Sequence, residues 1–330
     1  MKSKLINVLK IFIPLGLGVF LIWLSFRKLT PDDFNSIKEA FRHANYFWIF
    51  ISILLAILSH MSRAYRWKYT LEPLNFHPRF LNSFMAVMIG YLVNLGIPRM
   101  GEVTRAATMT KYENIPFNKG FGTIVAERVA DMILLLVLIF SVIIIQLSKL
   151  SHVVAKMVDG INPLKLFLFV ISLFLIAFLF FKFIQRSEIK FFIKLRVFLS
   201  GILEGINSIL KMKESAKFLM HTFFIWFLYL LMFYVAMFAL PEVNHVPFGG
   251  ILTAFVIGGI SIAVTNGGIG AYPYGIMQIL LLYGISQVDG LAFGWIVWTA
   301  QTIMIIVLGG LSFIFMPIYN KYVNAGSNTI

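Results

Sequence analysis

The side chains able to do chemistry in this sequence gather around two interruptions of apolar chain. At the first, Asn94 stands one turn before Pro98, Arg99 follows it, and Glu102 and Arg105 come at an i, i+3 spacing that sets them on one helical face. Glu127, Arg128 and Asp131 then open a long apolar run. Glu127 and Asp131 share a face at i, i+4, and two acids so placed invite a cation between them, with Arg105 and Arg66 as candidates. Ionisable groups at membrane depth cost about 2.5–3.5 kcal/mol each on insertion scales, so they pair or line a path. The plainer reading puts all of these charges at headgroup level, where that cost largely vanishes. It fits Asp131 worst, because Met132 to Ile145 follow with Ser141 as the only polar break.

The second interruption is Asn266-Gly267-Gly268-Ile269-Gly270. A helix broken inside a membrane exposes N–H groups that lipid cannot satisfy, so it persists where it lines a wet cavity or faces a ligand. The helix N-terminus there suits an anion such as a phosphate, and the glycines allow close approach to the backbone. A tight external turn between two ordinary helices is the alternative. Arg63, Arg66, Trp67 and Lys68 close an earlier apolar run; interfacial anchoring and snorkelling is their simplest role, with phosphate binding by an arginine second.

The elements that carry these residues are membrane helices. Of 330 residues, 59% are hydrophobic and 13% charged, against roughly 25% charged in a soluble domain. Apolar runs fall at about 5–26, 46–62, 80–98, 121–147, 163–183, 217–240, 250–266, 271–284 and 291–317. Many are continuous and about 20 residues long, the length of a spanning helix, and none shows the alternation of a barrel strand. The run from Leu5 to Phe26 is too long for a signal peptide and reads as a retained first helix. Thr30-Pro31-Asp32-Asp33 starts a short helix. The net charge of +14 sits between apolar runs, as orientation and contact with an anionic membrane surface require, so nucleic acid is not expected as a partner. There is no cysteine, and the six histidines have no ligand spacing; neither a metal nor a cofactor is expected.

Basic connectors fix the expected topology. The 182–217 connector, the segment with Arg63, Arg66, Lys68 and Arg79, and the segment with Arg99, Arg105, Lys111 and Lys119 belong inside, whereas 241–249 and 284–290 hold no Lys or Arg and belong outside. All three basic segments fall on one side only if residues 80–115 form a broken hairpin from the cytoplasm and 250–284 another from the opposite face. A weak repeat agrees: at an offset of 169, Gly90 falls on Gly259, Met100 on Ile269 and Gly101 on Gly270. Paired Gly/Pro interruptions in oppositely oriented halves point to a transporter's central site. The expected organisation is one transmembrane domain over 1–330: a first half 1–147, a second half 163–317 and an amphipathic cytoplasmic connector 186–214.

The stretches Arg63-Ala64-Tyr65-Arg66-Trp67, Asn94 through Arg105, Glu127-Arg128-Val129-Ala130-Asp131 and Gly267-Gly268-Ile269-Gly270-Ala271 resemble, in order and spacing, the flippase-like transmembrane region of lysylphosphatidylglycerol synthase. The resemblance covers nearly the whole chain. It implies movement of an aminoacylated or anionic phosphatidylglycerol-like lipid. The chain ends at Ile330, shortly after its last apolar run, so the translocating half is implied and lysyl transfer is not. The family pattern usually has an acidic residue after the second glycine motif, where this sequence has Tyr272-Pro273-Tyr274.

The fold expected is therefore all-α, a polytopic integral membrane helix bundle with two inverted re-entrant or broken-helix hairpins. The function expected is translocation of a phospholipid or lipid-linked headgroup across a bacterial or archaeal cytoplasmic (inner) membrane, with both termini cytoplasmic. Arg66, Asn94, Arg99, Glu102, Arg105, Glu127, Arg128, Asp131, Asn266, Gly267, Gly268 and Gly270 form the expected substrate site. The alternatives are an integral-membrane enzyme using Glu127 or Asp131 as base or metal ligand, and an adaptor that recruits a cytoplasmic synthase or glycosyltransferase through the basic connector. Gly309-Gly310 in the last helix permits close packing and a homodimer.

Overall fold

The computed structural model describes residues 15–27, 29–158, 209 and 212–327, with side chains except those of 147–158 and 324–327. The run 163–183 lies outside them, as does the connector 186–214 apart from 209 and 212–214. The chain divides into two compact units, residues 1–135 with 213–330, and residues 136–212. The first unit holds both hairpins and the charged residues named above as site candidates; the described part of the second is chiefly helix, from residue 136 to Val158.

The described residues are helical, with no strand among them. In chain order the helices are α1 (Leu15–Phe26), α2 (Pro31–His43), α3 (Tyr46–Leu71), α4 (Phe80–Gly96), α5 (Met100–Glu113), α6 (Phe117–Val158), α7 (Ser215–Ala236), α8 (Phe248–Val264), α9 (Ala271–Leu281) and α10 (Gln287–Ser327). Four segments, Tyr46–Leu74, Phe117–Gln146, Ser215–Ala239 and Gln287–Val323, are long and apolar enough to cross a membrane. This is an all-α, multi-pass membrane protein.

Local chemistry sets the ends. Thr30 and Asp33 form a reciprocal capping box at the start of α2, with Pro31 in its first turn. The Thr30 backbone N–H donates to the Asp33 carboxylate at 2.7 Å and the Thr30 hydroxyl at 2.8 Å, which holds that carboxyl below its ordinary value. A lowered pKa stabilises the helix above the unfolded carboxylate range, and the benefit disappears as pH falls through the folded value. The protection factors of the amides at residues 32–36, corrected for intrinsic exchange, are therefore expected to fall on acidification below about pH 4. Asp33→Asn should exchange faster at neutral pH and lose the dependence.

The two broken hairpins carry the architecture. Helix α4 has 17 residues, about 26 Å at 1.5 Å each, short of a ~30 Å hydrocarbon layer. It ends where Pro98 disfavours helical geometry at Ile97, which is extended (φ −127°, ψ 109°). Arg99 then turns left-handed (φ 64°) and α5 returns alongside. Arg79 at the start of α4 donates to Glu113 (2.9 Å) and to the Tyr112 carbonyl (3.3 Å) at the end of α5, so the pair is antiparallel. In the second hairpin Gly250 of α8 packs on Tyr283, just past α9, while Gly275 of α9 packs on Ile257 and Ser261 of α8. The turn between them has Gly267, Gly268 and Gly270 at φ 60°, 80° and 68°. At the 169-residue offset, left-handed Arg99 falls on left-handed Gly268.

The hairpins enter from opposite ends. The base of the first packs with Trp67 and Leu71 at the C-terminal end of α3 and Met316 late in α10. The base of the second packs with Ile49 at the N-terminal end of α3 and Phe293 early in α10. Their tips touch: a Cβ added at Gly267 would lie 2.9 Å from Leu95 Cδ2. Trp298 Nε1 donates to the Gly267 carbonyl at 2.8 Å, and Gly18 of α1 packs on Ile269 and Gly270. Gly309 is spent inside the chain, where a Cβ would meet Leu92 Cβ at 2.7 Å, while Gly310 faces open space.

A polar clasp ties the first hairpin to α10. Buried Asn82 and Asn320 exchange hydrogen bonds of 2.9 and 2.8 Å. Arg79 also donates to Asn320 at 2.9 Å, and Asn82 donates to Glu113. Asn82→Leu leaves Arg79 on both acceptors but strands one buried N–H of the Asn320 amide, so a loss of about 1–3 kcal/mol is expected, read as earlier thermal unfolding with unchanged helical circular dichroism.

Candidate functional site

The basic end of α3, the first hairpin and the start of α6 converge on one ionic network. Arg63 and Arg66, one turn apart on α3, both reach Asp131: Arg63 Nη1 at 2.7 Å, Arg66 Nη1 at 2.9 Å and Arg66 Nη2 at 3.3 Å. Arg66 Nη1 also donates to the Thr222 hydroxyl of α7 at 2.8 Å, and its Nε lies 3.9 Å from Glu127. Arg105 Nη1 of α5 donates to Glu127 at 2.8 Å, and its guanidinium stacks 3.6 Å from the Trp67 ring centroid. Trp67 is pinned in turn by Nε1 donating to Thr123 at 2.9 Å. At the outer edge Arg128 donates to Glu102 at 2.6 Å.

Burial turns these pairs into obligations. Arg63, Arg66, Arg105, Glu127 and Asp131 have relative exposures of 4%, 0%, 5%, 1% and 7%. A charge taken out of water survives only with a partner and satisfied hydrogen bonds. The positions follow from helical spacing: Arg63 and Arg66 face one way on α3, and Glu127 and Asp131 meet them from one face of α6. The expectation of interfacial anchoring and snorkelling for Arg63 and Arg66 is thereby corrected, because both guanidiniums are buried in ion pairs with α6. They lie inside the protein because carboxylates there require them.

A cleft opens onto this network beside the first break, lined among others by Arg63, Tyr91, Asn94, Glu102, Arg105 and Arg128. Its free volume is about 10 Å³, room for roughly one water. Gly90 and Gly101 form its floor, their backbones in contact. Asn94 Oδ1 accepts from the Gly101 N–H at 2.7 Å, satisfying one of the first amides of α5. Arg105 Nε and Nη2, Arg63 Nε and Glu102 Oε2 are buried without a hydrogen-bond partner.

Of the residues expected from sequence, Asn94, Glu102, Arg105 and Arg128 line this cleft, and Glu127, Arg66 and Asp131 stand behind them. Glu102 and Arg105 do not pair with each other; each reaches across to α6. Arg99 is exposed at the hairpin tip and outside the cleft lining. Asn266, Gly267, Gly268 and Gly270 form the other tip, where Asn266 is buried with Oδ1 unpartnered. The first amides of α9 are met by the turn's own carbonyls: Ala271 N–H donates to Ile269 at 2.7 Å and Tyr272 N–H to Gly268 at 2.8 Å. Sequence reasoning named Arg63 and Trp67 only as interfacial anchors, with phosphate binding by an arginine second, and missed Tyr91 and Tyr229, whose hydroxyl accepts from Arg63 at 3.4 Å. The i, i+3 spacing of Arg63 and Arg66 opposite two acids was the available signal for Arg63.

Comparison with known proteins agrees with this architecture. A UPF0104 membrane protein of Methanocaldococcus jannaschii is 34% identical over 87 residues, 26% of this chain and 26% of that protein. The chain thus matches about a quarter of the relative's length. No solved structure matches. The family model described as the lysylphosphatidylglycerol synthase TM region matches residues 11–309, nearly the whole chain, and the chain belongs to that family.

Proposed function

We propose that this protein moves a phospholipid headgroup across the membrane through the space between its two hairpins. The observation that carries this reading is the contact of the two tips, Leu95 against Gly267, beside a buried arginine–carboxylate network. A backbone broken at membrane depth and a desolvated ionic network are both costly, and both suit a polar path. The cleft admits about one water as it stands, so a headgroup enters only when the cleft beside the first break widens. Acyl tails need no pocket, because they stay in lipid.

In this reading the end bearing Lys68, Arg79, Lys111 and Lys119 faces the cytoplasm. Glu127 and Asp131 are held by guanidiniums, which favours transport over their use as a general base or metal ligands. The test is reconstitution of the full chain into vesicles carrying a fluorescent phospholipid quenched from outside. Wild type should increase the fraction of label exchanged between leaflets, and Glu102→Ala with Arg128→Ala should change the rate without unfolding the protein. Exchange equal to that of protein-free vesicles for every phospholipid offered would overturn the proposal.

A further inference from the structure

The network is not neutral. Three fully buried guanidiniums, Arg63, Arg66 and Arg105, face two buried carboxylates, Glu127 and Asp131. The half-exposed Arg128–Glu102 pair adds one charge of each sign and leaves the balance unchanged. One positive charge therefore remains without a counter-charge in a water-poor site. Arg66 Nε, unpartnered but 3.9 Å from Glu127, lies off the cleft, whereas the other unpartnered guanidinium nitrogens belong to residues that line it. Arg105 uses Nη1 for Glu127 and has one face on Trp67, while Nε and Nη2 are both buried and unpaired. Those two nitrogens form the side-on edge of the guanidinium, the fork that binds two oxygens of one oxyanion. Arg63 Nε, on a second of the three arginines lining the cleft, is also unpaired.

Buried polar groups left unpaired call for an explanation, and a net buried charge more so. We infer that the cleft is a subsite for a singly charged phosphodiester, gripped bidentately by the Nε/Nη2 edge of Arg105 with Arg63 beside it. The inference rests on the proposed function and narrows it. A headgroup carrying one net negative charge brings the network to neutrality. A phosphomonoester, at about −1.5 to −2 near pH 7, overshoots. A lysyl-esterified headgroup, whose ammonium groups outnumber its phosphate, adds cations to a site already in excess. The substrate class is therefore a phospholipid whose headgroup carries one net negative charge, for which phosphatidylglycerol serves as the probe, and not an aminoacylated one.

Lipid retention tests this without requiring transport. The full chain in phosphatidylcholine nanodiscs is offered phosphatidylglycerol, lysyl-phosphatidylglycerol or phosphatidic acid in turn, and bound lipid is counted by native mass spectrometry. Phosphatidylglycerol should be retained about tenfold over either competitor, equivalent to ~1.4 kcal/mol. Arg105→Gln makes the network neutral and should abolish the preference. Glu127→Gln adds one positive charge and should move the preference toward phosphatidic acid, an opposite shift that misfolding does not imitate. Equal or better retention of the lysyl lipid would overturn the inference, as would a phosphatidylglycerol preference that survives Arg105→Gln. Displacement of phosphatidylglycerol by inorganic phosphate at equal concentration would reassign the subsite to free phosphate and overturn the lipid assignment. Selective retention without leaflet exchange in vesicles would sink the transport reading alone.

Discussion

Asp131→Asn is expected to be the most damaging single substitution in the ionic network. The carboxylate accepts from two buried arginines, and the amide keeps its size but removes the carboxylate paired with Arg63 and the nearer of the two facing Arg66. Removing one partner of a buried pair costs about 3–5 kcal/mol, because the other charge stays behind in low dielectric. That is a large fraction of a typical domain's net stability of about 5–15 kcal/mol. The measurement is thermal unfolding in detergent, with Asp131→Asn unfolding well below wild type. Adding Arg63→Gln should recover part of the loss by removing one stranded cation, whereas two unrelated defects would simply add. If the double variant is no better than the single one, Arg63 and Asp131 are not energetically coupled.

Gly101→Val should be comparably severe for a steric reason. A Cβ on Gly101 falls on the Gly90 carbonyl oxygen and within 2.6 Å of the Asn94 side chain. The obstacle at Gly90 is backbone in the middle of α4, so the hairpin must splay instead of a rotamer shifting. Overpacking a well-filled site costs about 1–3 kcal/mol, and here the bond from Asn94 to the Gly101 N–H is lost as well. A fall of about 3 kcal/mol or more is expected, with loss of headgroup exchange in vesicles. Gly122→Ala on α6 is the contrast. Nothing lies within 4 Å of its Cβ position, and alanine there should be neutral or stabilising by up to about 1 kcal/mol. If Gly101→Val unfolds no earlier than Gly122→Ala, close approach of α4 to α5 does not hold the hairpin.

The fold was legible because lipid leaves few options. Continuous apolar runs could only be helices, and the Ile97-Pro98 and Asn266–Gly270 breaks stand where α4 and α8 end. The sign of loop charge required those runs to turn back. The same charges misled at the site. Arg63, Arg66 and Arg105 sit next to Lys68 and Lys111 in sequence, and along the chain an arginine at the interface looks the same as one a turn deeper. Only the helix packing shows that α6 lays Asp131 and Glu127 against them. Tyr91 and Trp67 were illegible for another reason: an aromatic on an apolar helix reads as packing, and the stacking of Trp67 on Arg105 depends on where α5 lands. Glu102 and Arg105 share a face as their spacing required, yet spacing within one helix did not reveal that both partners come from α6.

The seam between Leu95 and Gly267 bears on the cell's energetics. Two half-length hairpins that meet tip to tip bring apolar side chain against bare backbone midway along the described bundle, so in the proposed transport cycle that contact has to part before a polar head can pass it. A scramblase-like groove can carry lipid heads yet also risks leaking protons. Under the proposed function, an isobutyl group closing on bare glycine backbone is the place where lipid passage and proton leakage would be separated, and Leu95→Ala should raise leakage before it alters lipid exchange.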